Sequence, residues 1–139
     1  MKHKGSQTEF MQQRNLELAL AFNMLLREAK FIRLNDILTK LVNSPASRFY
    51  VSGARMQAVM RRMRRDPKGW DKNMVPERAR MFRDLVKVHE RMHLAYPKAK
   101  DTELCERAVM CAAPSFYLTP KSAKVILHHI KHRTRGYGL

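Results

Sequence analysis

The chain has 139 residues, with 28 Lys and Arg against 12 Asp and Glu, a formal charge of +16 and a sequence pI near 10.6. That length suits one compact domain with a real core, and so large a positive excess repels itself and attracts polyanions, which points to a nucleic-acid partner. With 45% hydrophobic residues and only 5 Gly and 6 Pro, the composition excludes a wholly disordered basic tail.

Polar residues fill Met1 to Glu9, with no apolar stretch behind Lys2 and Lys4, and no apolar run approaches membrane-spanning length. The expectation is a cytoplasmic protein without a membrane partner, nucleoid-associated if bacterial. Ser6-Gln7-Thr8-Glu9 has capping-box spacing, and Leu18, Phe22, Leu25, Ala29 and Ile32 recur at helical intervals, predicting a first helix over about 8–31. A second begins after Asn35 or Asp36, carries Ile37, Leu38, Leu41 and Val42, and stops before Ser44-Pro45, because proline disfavours helical geometry in the preceding residue. Arg48-Phe49-Tyr50-Val51 reads as a short extended piece, and Ser52 as the N-cap of a third helix to about Arg65.

The turn-rich residues 66–75 read as a linker. Pro76 suits a first helical position, with Met81, Leu85, Val88 and Met92 following to about Tyr96. Asp101 or Thr102 opens a short helix through Leu104, Cys105, Ala108 and Val109. Phe116-Tyr117-Leu118 looks extended, Thr119-Pro120 is an N-cap and first-turn proline, and the last helix runs to about His132 before a flexible tail, 134–139. Cys105 and Cys111 belong to no metal-binding spacing and are expected to be buried, reduced thiols.

A shift of 67 positions carries Phe49-Tyr50-Val51-Ser52 onto Phe116-Tyr117-Leu118-Thr119 and Val42 onto Val109. It also lays Met56, Val59, Met60 and Met63 on Ala123, Ile126, Leu127 and Ile130, preserving the phase of the apolar stripe. The fold expected is therefore mainly α, a single domain built from two pseudo-repeated helix-helix-strand-helix halves, about 8–65 and 76–133. The two extended pieces would pair as a small two-stranded β ribbon. Phe49 and Phe116 are the predicted core aromatics, each with a partly exposed tyrosine beside it.

The third helix of each half carries the functional signal. Projected at about 100° per residue, Met56, Val59, Met60 and Met63 form one stripe and Arg55, Arg61, Arg62, Arg64 and Arg65 occupy the rest. In the second half, Lys121, Lys124, His128, His129, Lys131 and His132 lie opposite the apolar stripe. Ordinary surface helices mix signs, but no acid interrupts Arg55 to Arg65, and guanidinium forks suit phosphate oxygens. This constellation predicts a nucleic-acid interface, DNA in preference to RNA, in a regulatory or nucleoid-type role, with Arg78, Arg80 and Arg83 extending the patch.

A helix followed by a basic helix resembles the helix-turn-helix, although Asn43 to Val51 is longer than its usual turn. Single-stranded nucleic acid would instead call on aromatics for stacking, which Tyr50, Tyr117 and Trp70 could supply. Because histidine titrates near neutrality, binding through the last helix is expected to strengthen as pH falls toward about 6.

His89-Glu90-Arg91-Met92-His93 matches HExxH and resembles the zinc-peptidase signature. That resemblance implies His89 and His93 as ligands, Glu90 as general base, and Glu103 or Glu106 as the nearest third ligand. Against it stand the cationic Arg91 inside the motif and the lack of an upstream sheet edge to hold substrate. His128 and His132 share the i, i+4 spacing, but align with Arg61 and Arg65. The preferred expectation is no enzyme activity, no cofactor and no bound metal. The competing one is a basic adaptor in a nucleoprotein or virion assembly, its Met-rich faces binding protein partners.

Overall fold

The computed structural model describes the backbone of residues 3–30 and 33–136 and the side chains of 10–30 and 33–131. Among these the protein is mainly helical: α1 (His3–Glu28), α2 (Leu34–Val42), α3 (Gly53–Arg65), α4 (Pro76–Ala95), α5 (Asp101–Val109) and α6 (Pro120–Gly136). No described helix is long and apolar enough to cross a membrane.

Local chemistry accounts for the starts of α3, α4 and α6. The Ser52 hydroxyl accepts a hydrogen bond from the Arg55 amide, and the Thr119 hydroxyl accepts one from the Ser122 amide; each satisfies a donor that the first turn leaves unpaired. Pro76 and Pro120 open α4 and α6, where a missing N–H costs nothing. Some ends differ from expectation. The α1 backbone is already helical at His3, so Ser6 to Glu9 lie inside the helix; their side chains, with Phe31 and Ile32, fall outside the described residues. At α5 the expectation holds, Asp101 being its first residue after Lys100, which makes no side-chain cap bond. Residues 134–136 continue α6, and only 137–139 of the expected tail lie outside the description.

The chain sorts into two compact units, residues 47–113 and residues 1–46 with 114–139. In the first, α3 and α4 both pack on α5, and α3 also touches α4. Phe49, Met56, Val59, Phe82, Leu85, Leu104 and Cys105 are almost fully buried there, each large apolar side chain contributing about 1.5–3 kcal/mol. In the second unit α1, α2 and α6 pack pairwise, burying Leu18, Ile37, Leu38, Leu41, Val42, Phe116 and Ala123. The 47–113 unit thus takes three helices consecutive in the chain, and the other takes the consecutive α1 and α2 with α6 from the far end of the sequence.

No strand occurs among the described residues, and the expected ribbon of residues 48–51 with 116–118 does not form. Both aromatic segments give their hydrogen bonds to a helix end instead. The Phe49 amide donates to the Val109 carbonyl at 3.0 Å, and the Phe116 amide to the Val42 carbonyl at 3.1 Å. Orphan carbonyls at a helix C-terminus compete well with a two-stranded ladder, which is marginal by itself. Phe49 and Phe116 are core residues as expected; Tyr50 is half-buried, but Tyr117 is buried. Tyr117 also has φ 55°, in the left-handed region, and its amide donates to the Ser115 hydroxyl.

Candidate nucleic-acid interface

On α3 the apolar stripe faces the core: Met56, Val59 and Met60 are buried and Met63 half-buried. Arg55, Arg61, Arg62, Arg64 and Arg65 are all exposed, and none forms an ion pair among the described residues. The helix is closed at its N-terminus by an unusually tight approach. A Cβ at Gly53 would lie 2.6 Å from the Glu106 Cδ and 3.0 Å from its Cα, so glycine permits α3 to enter against α5.

The arginines divide by position on the helix. Arg61 and Arg65 stand at the crest, opposite the stripe. Arg55 and Arg62, seven residues apart, share one edge and line a cavity with Trp70 and Arg78. Gln57 and Arg64, also seven apart, share the other edge. There the Gln57 amide donates to Asp101 Oδ2 at 3.2 Å, and Arg64 helps line a second concavity with Met60, His89 and His93.

In the other unit, α6 buries Ala123 and half-buries Ile126, Leu127 and Ile130, while Lys121, Lys124, His128, His129 and Lys131 are exposed. The His128 and His129 rings meet edge to face at 6.1 Å. The α6 backbone continues through His132, whose side chain lies outside the described residues. Of the residues expected to extend the patch, Arg83 is paired with Asp71 and lies over the Trp70 ring at 5.3 Å. Arg78 is half-buried over Phe82. Burial, and secondarily the Arg55 charge, lower the Arg78 pKa from its ordinary value. Trp70 is itself buried, which removes it as an exposed stacking platform.

The HExxH residues sit on α4 with divergent surroundings. His89 is buried and its Nε2 lies 2.7 Å from Asp101 Oδ1, whereas Glu90 and His93 are both exposed, as are Glu103 and Glu106 on α5. The donor atoms that come together with His89 are those of Asp101 and Cys105, all within 4.8 Å of one another. Nitrogen, oxygen and sulfur in that set are donors zinc accepts, but His89 and Asp101 already satisfy each other. Burial tends to raise the Asp101 pKa; the hydrogen bonds from His89 and Gln57 and the nearby Arg64 charge outweigh it, and the carboxyl is held below its ordinary value. Cys105 is buried and Cys111 half-buried, and neither is in a disulfide.

The Gln57–Asp101–His89 tie, and the part Trp70 and Arg78 play in the cavity, escape a reading of the sequence. The one available signal was spacing, since Arg55 and Arg62 repeat at i, i+7 on one edge of α3. No protein-family model, curated protein or solved structure matches this chain.

Proposed function

We propose that this protein binds nucleic acid, DNA in preference to RNA, through the basic faces of α3 and α6 in a regulatory or nucleoid-type role. The observation that carries the reading is α3. It exposes five arginines without an ion pair among the described residues, while its apolar stripe is used in the core. Such a face costs stability by self-repulsion, and that cost is offset when phosphates displace counterions around it.

The proposal includes an internal duplication. Phe49 and Val109 correspond, at the 67-residue shift, to Phe116 and Val42, and the two amide-to-carbonyl bonds are the same bond with the halves exchanged. Leu18 and Leu85, Val42 and Val109, and Met56 and Ala123 are buried at matching positions. On this reading the third helix of each half packs with the first two helices of the other, and each unit carries one cationic helix.

The test is binding to labelled duplex DNA, single-stranded DNA and RNA across a salt series, beside a variant with Arg61, Arg62, Arg64 and Arg65 changed to Ala. Duplex binding should weaken steeply with salt. The variant should show a shallower slope, by roughly 0.9 for each phosphate it no longer neutralises. Equal slopes, or no binding at low salt, would remove the proposal.

A second reading, a basic adaptor in a nucleoprotein or virion assembly, draws on α1, whose Leu16, Leu20 and Met24 are 65%, 66% and 58% exposed. They recur every four residues on the side opposite buried Leu18, a stripe suited to a partner helix. A salt-insensitive protein complex lost on changing Leu20 to Lys would favour it. Zinc hydrolysis is the weakest reading, because His89 is committed to Asp101.

A further inference from the structure

We infer that the cavity between α3 and the first turn of α4 is a binding site for the phosphate monoester of a nucleotide. Two of its three cations belong to the cationic face of α3, so the inference rests on that polyanion reading for Arg55 and Arg62 and goes beyond it in the ligand.

Three features select this ligand. The first is charge: Arg55, Arg62 and Arg78 converge on one cavity whose lining contains no acid. The two carboxylates closest in sequence to its Trp70 wall are already engaged, Asp66 by the Gly69 amide at 3.1 Å and Asp71 by Arg83. Arg78 is half-buried, and a desolvated guanidinium without a carboxylate gains more from an incoming dianion than an exposed one does. The second is size. A volume of about 560 Å³ falls within the about 300–1,000 Å³ usual for small-molecule sites and exceeds what inorganic phosphate fills. The third is the rest of the lining. Trp70 and Val75 are apolar and Asn73 offers an amide, a combination that accepts a planar ring with polar edges.

The position of the cavity adds a fourth contribution. Val75 caps a 20-residue helix without a side-chain hydrogen bond, and although Pro76 has no N–H and Glu77 is an acid in the same turn, the Glu77 and Arg78 amides and the positive end of the helix dipole favour an anion beside Val75 and Arg78. Trp70 is braced for such a wall: its amide donates to the Asp66 carbonyl, and Arg83 holds its ring at 5.3 Å.

A phosphate monoester has two sources, a free nucleotide and the 5′ end of a strand, and one measurement separates them. Trp70 is the only tryptophan, so fluorescence of the full chain excited beyond the tyrosine absorption band reads this wall of the cavity. Titrants would be AMP, ATP, adenosine, inorganic phosphate, and a short oligonucleotide with either a 5′-phosphate or a 5′-hydroxyl.

AMP or ATP should change the Trp70 signal at concentrations at least about tenfold below adenosine and inorganic phosphate. A matching preference for the 5′-phosphorylated oligonucleotide over its hydroxyl form would identify the strand end as the source; its absence would identify the free nucleotide. Arg55→Gln and Arg78→Gln should each weaken the response about tenfold or more, while Arg61→Gln at the crest leaves it within about twofold. Thermal melts of each variant check folding, and exposed Arg55 keeps the test available where half-buried Arg78 does not.

Adenosine acting as well as AMP, no response to any phosphorylated titrant, or equal losses in Arg61→Gln and Arg55→Gln would overturn the inference. Binding to closed circular duplex, which has no strand ends, is followed in parallel. Its loss beside an intact nucleotide response would remove the polyanion proposal alone, and the reverse outcome would remove this one alone.

Discussion

The Phe49 amide donates to the Val109 carbonyl at 3.0 Å, tying an aromatic segment to the C-terminal end of α5. Phe49 itself is 1% exposed. Both links act together: the bond satisfies a helix-end carbonyl, and it sets the ring in the core that α3, α4 and α5 share. Phe49→Ala should therefore cost about 3–5 kcal/mol, the range for deleting a buried phenylalanine. If the duplication holds, Phe116→Ala, whose ring is 4% exposed and whose amide bonds Val42, costs a similar amount. Urea denaturation of both variants measures this, and a loss below about 1 kcal/mol at either would contradict the core assignment.

Ser115 has a role that Arg48, 67 positions earlier, does not. Its buried hydroxyl donates to the Val42 carbonyl at 2.7 Å and accepts from the Tyr117 amide at 3.0 Å. Tyr117 has φ 55°, a conformation costing a non-glycine residue about 1–2 kcal/mol, and the hydroxyl helps hold it. Ser115→Ala strands the Tyr117 amide in a buried place and should cost about 1–3 kcal/mol. Ser115→Thr keeps the hydroxyl and should recover much of that. Chemical denaturation that finds the alanine variant as stable as the parent would show that water or another group replaces the hydroxyl.

How much of this was legible in the sequence depends on whether a feature is local. Ser52 and Thr119 were readable as caps because a hydroxyl three residues before an amide needs nothing else. The burial of Phe49, Phe116 and Met56 was readable because apolar phase survives any tertiary arrangement. The ribbon was misread because Arg48 to Val51 has strand composition, while the group its amide meets, the Val109 carbonyl, lies about sixty residues away along the chain. The cavity was hidden for the same reason. Trp70 sits in a segment with linker composition, and nothing in its neighbours announces that it closes a wall beside Arg55 and Arg62.

Gly53 sets two effects against each other. Alanine in a helix interior is favoured over glycine by about 1 kcal/mol, and by less at the first position, where Gly53 stands, but the added Cβ would lie 3.0 Å from the Glu106 Cα. The Glu106 carboxyl can swing away, whereas the α5 backbone can yield only by shifting the α3–α5 packing, at about 1–3 kcal/mol. The steric effect wins: Gly53→Ala is expected to lower stability by about 1 kcal/mol, and Gly53→Val by more. A stabilised alanine variant in thermal or urea melts would mean that the approach of α3 to α5 is looser than the structure has it.

Asp101 makes the stability of the α3–α4–α5 unit dependent on acid. Its folded pKa is depressed: burial opposes the charge, but the His89 and Gln57 hydrogen bonds and Arg64 outweigh that. A depressed carboxyl contributes stability that is present above the unfolded value, about 3.9, and is lost as pH falls through the lower folded value. Asp101→Asn, which resembles the protonated form, should therefore be less stable than the parent at pH 7, and the difference should close in acid, as pH falls through the depressed folded value. Urea midpoints at pH 7 and in acid decide the matter; a gap that persists unchanged would assign the loss to packing instead of charge.

The two cysteines should differ sharply in reactivity. Burial above all, with the Asp101 and Glu106 carboxylates, pushes the Cys105 thiol up to about 11, against the opposing influence of Arg64 and Arg61. The thiolate is the reactive form, so at about pH 8 Cys105 is both covered and protonated. Cys111 is half-buried, its Sγ donating weakly to the Arg107 carbonyl at 3.5 Å. A maleimide pulse on the native protein should label Cys111 alone, with Cys105 reacting only as the unit opens. Peptide mapping after the pulse reads the sites, and the Cys105 rate across a urea series should track unfolding of the α3–α4–α5 core. Equal labelling of both thiols in the native state would mean that this core opens freely, and with it the cavity walled by Trp70.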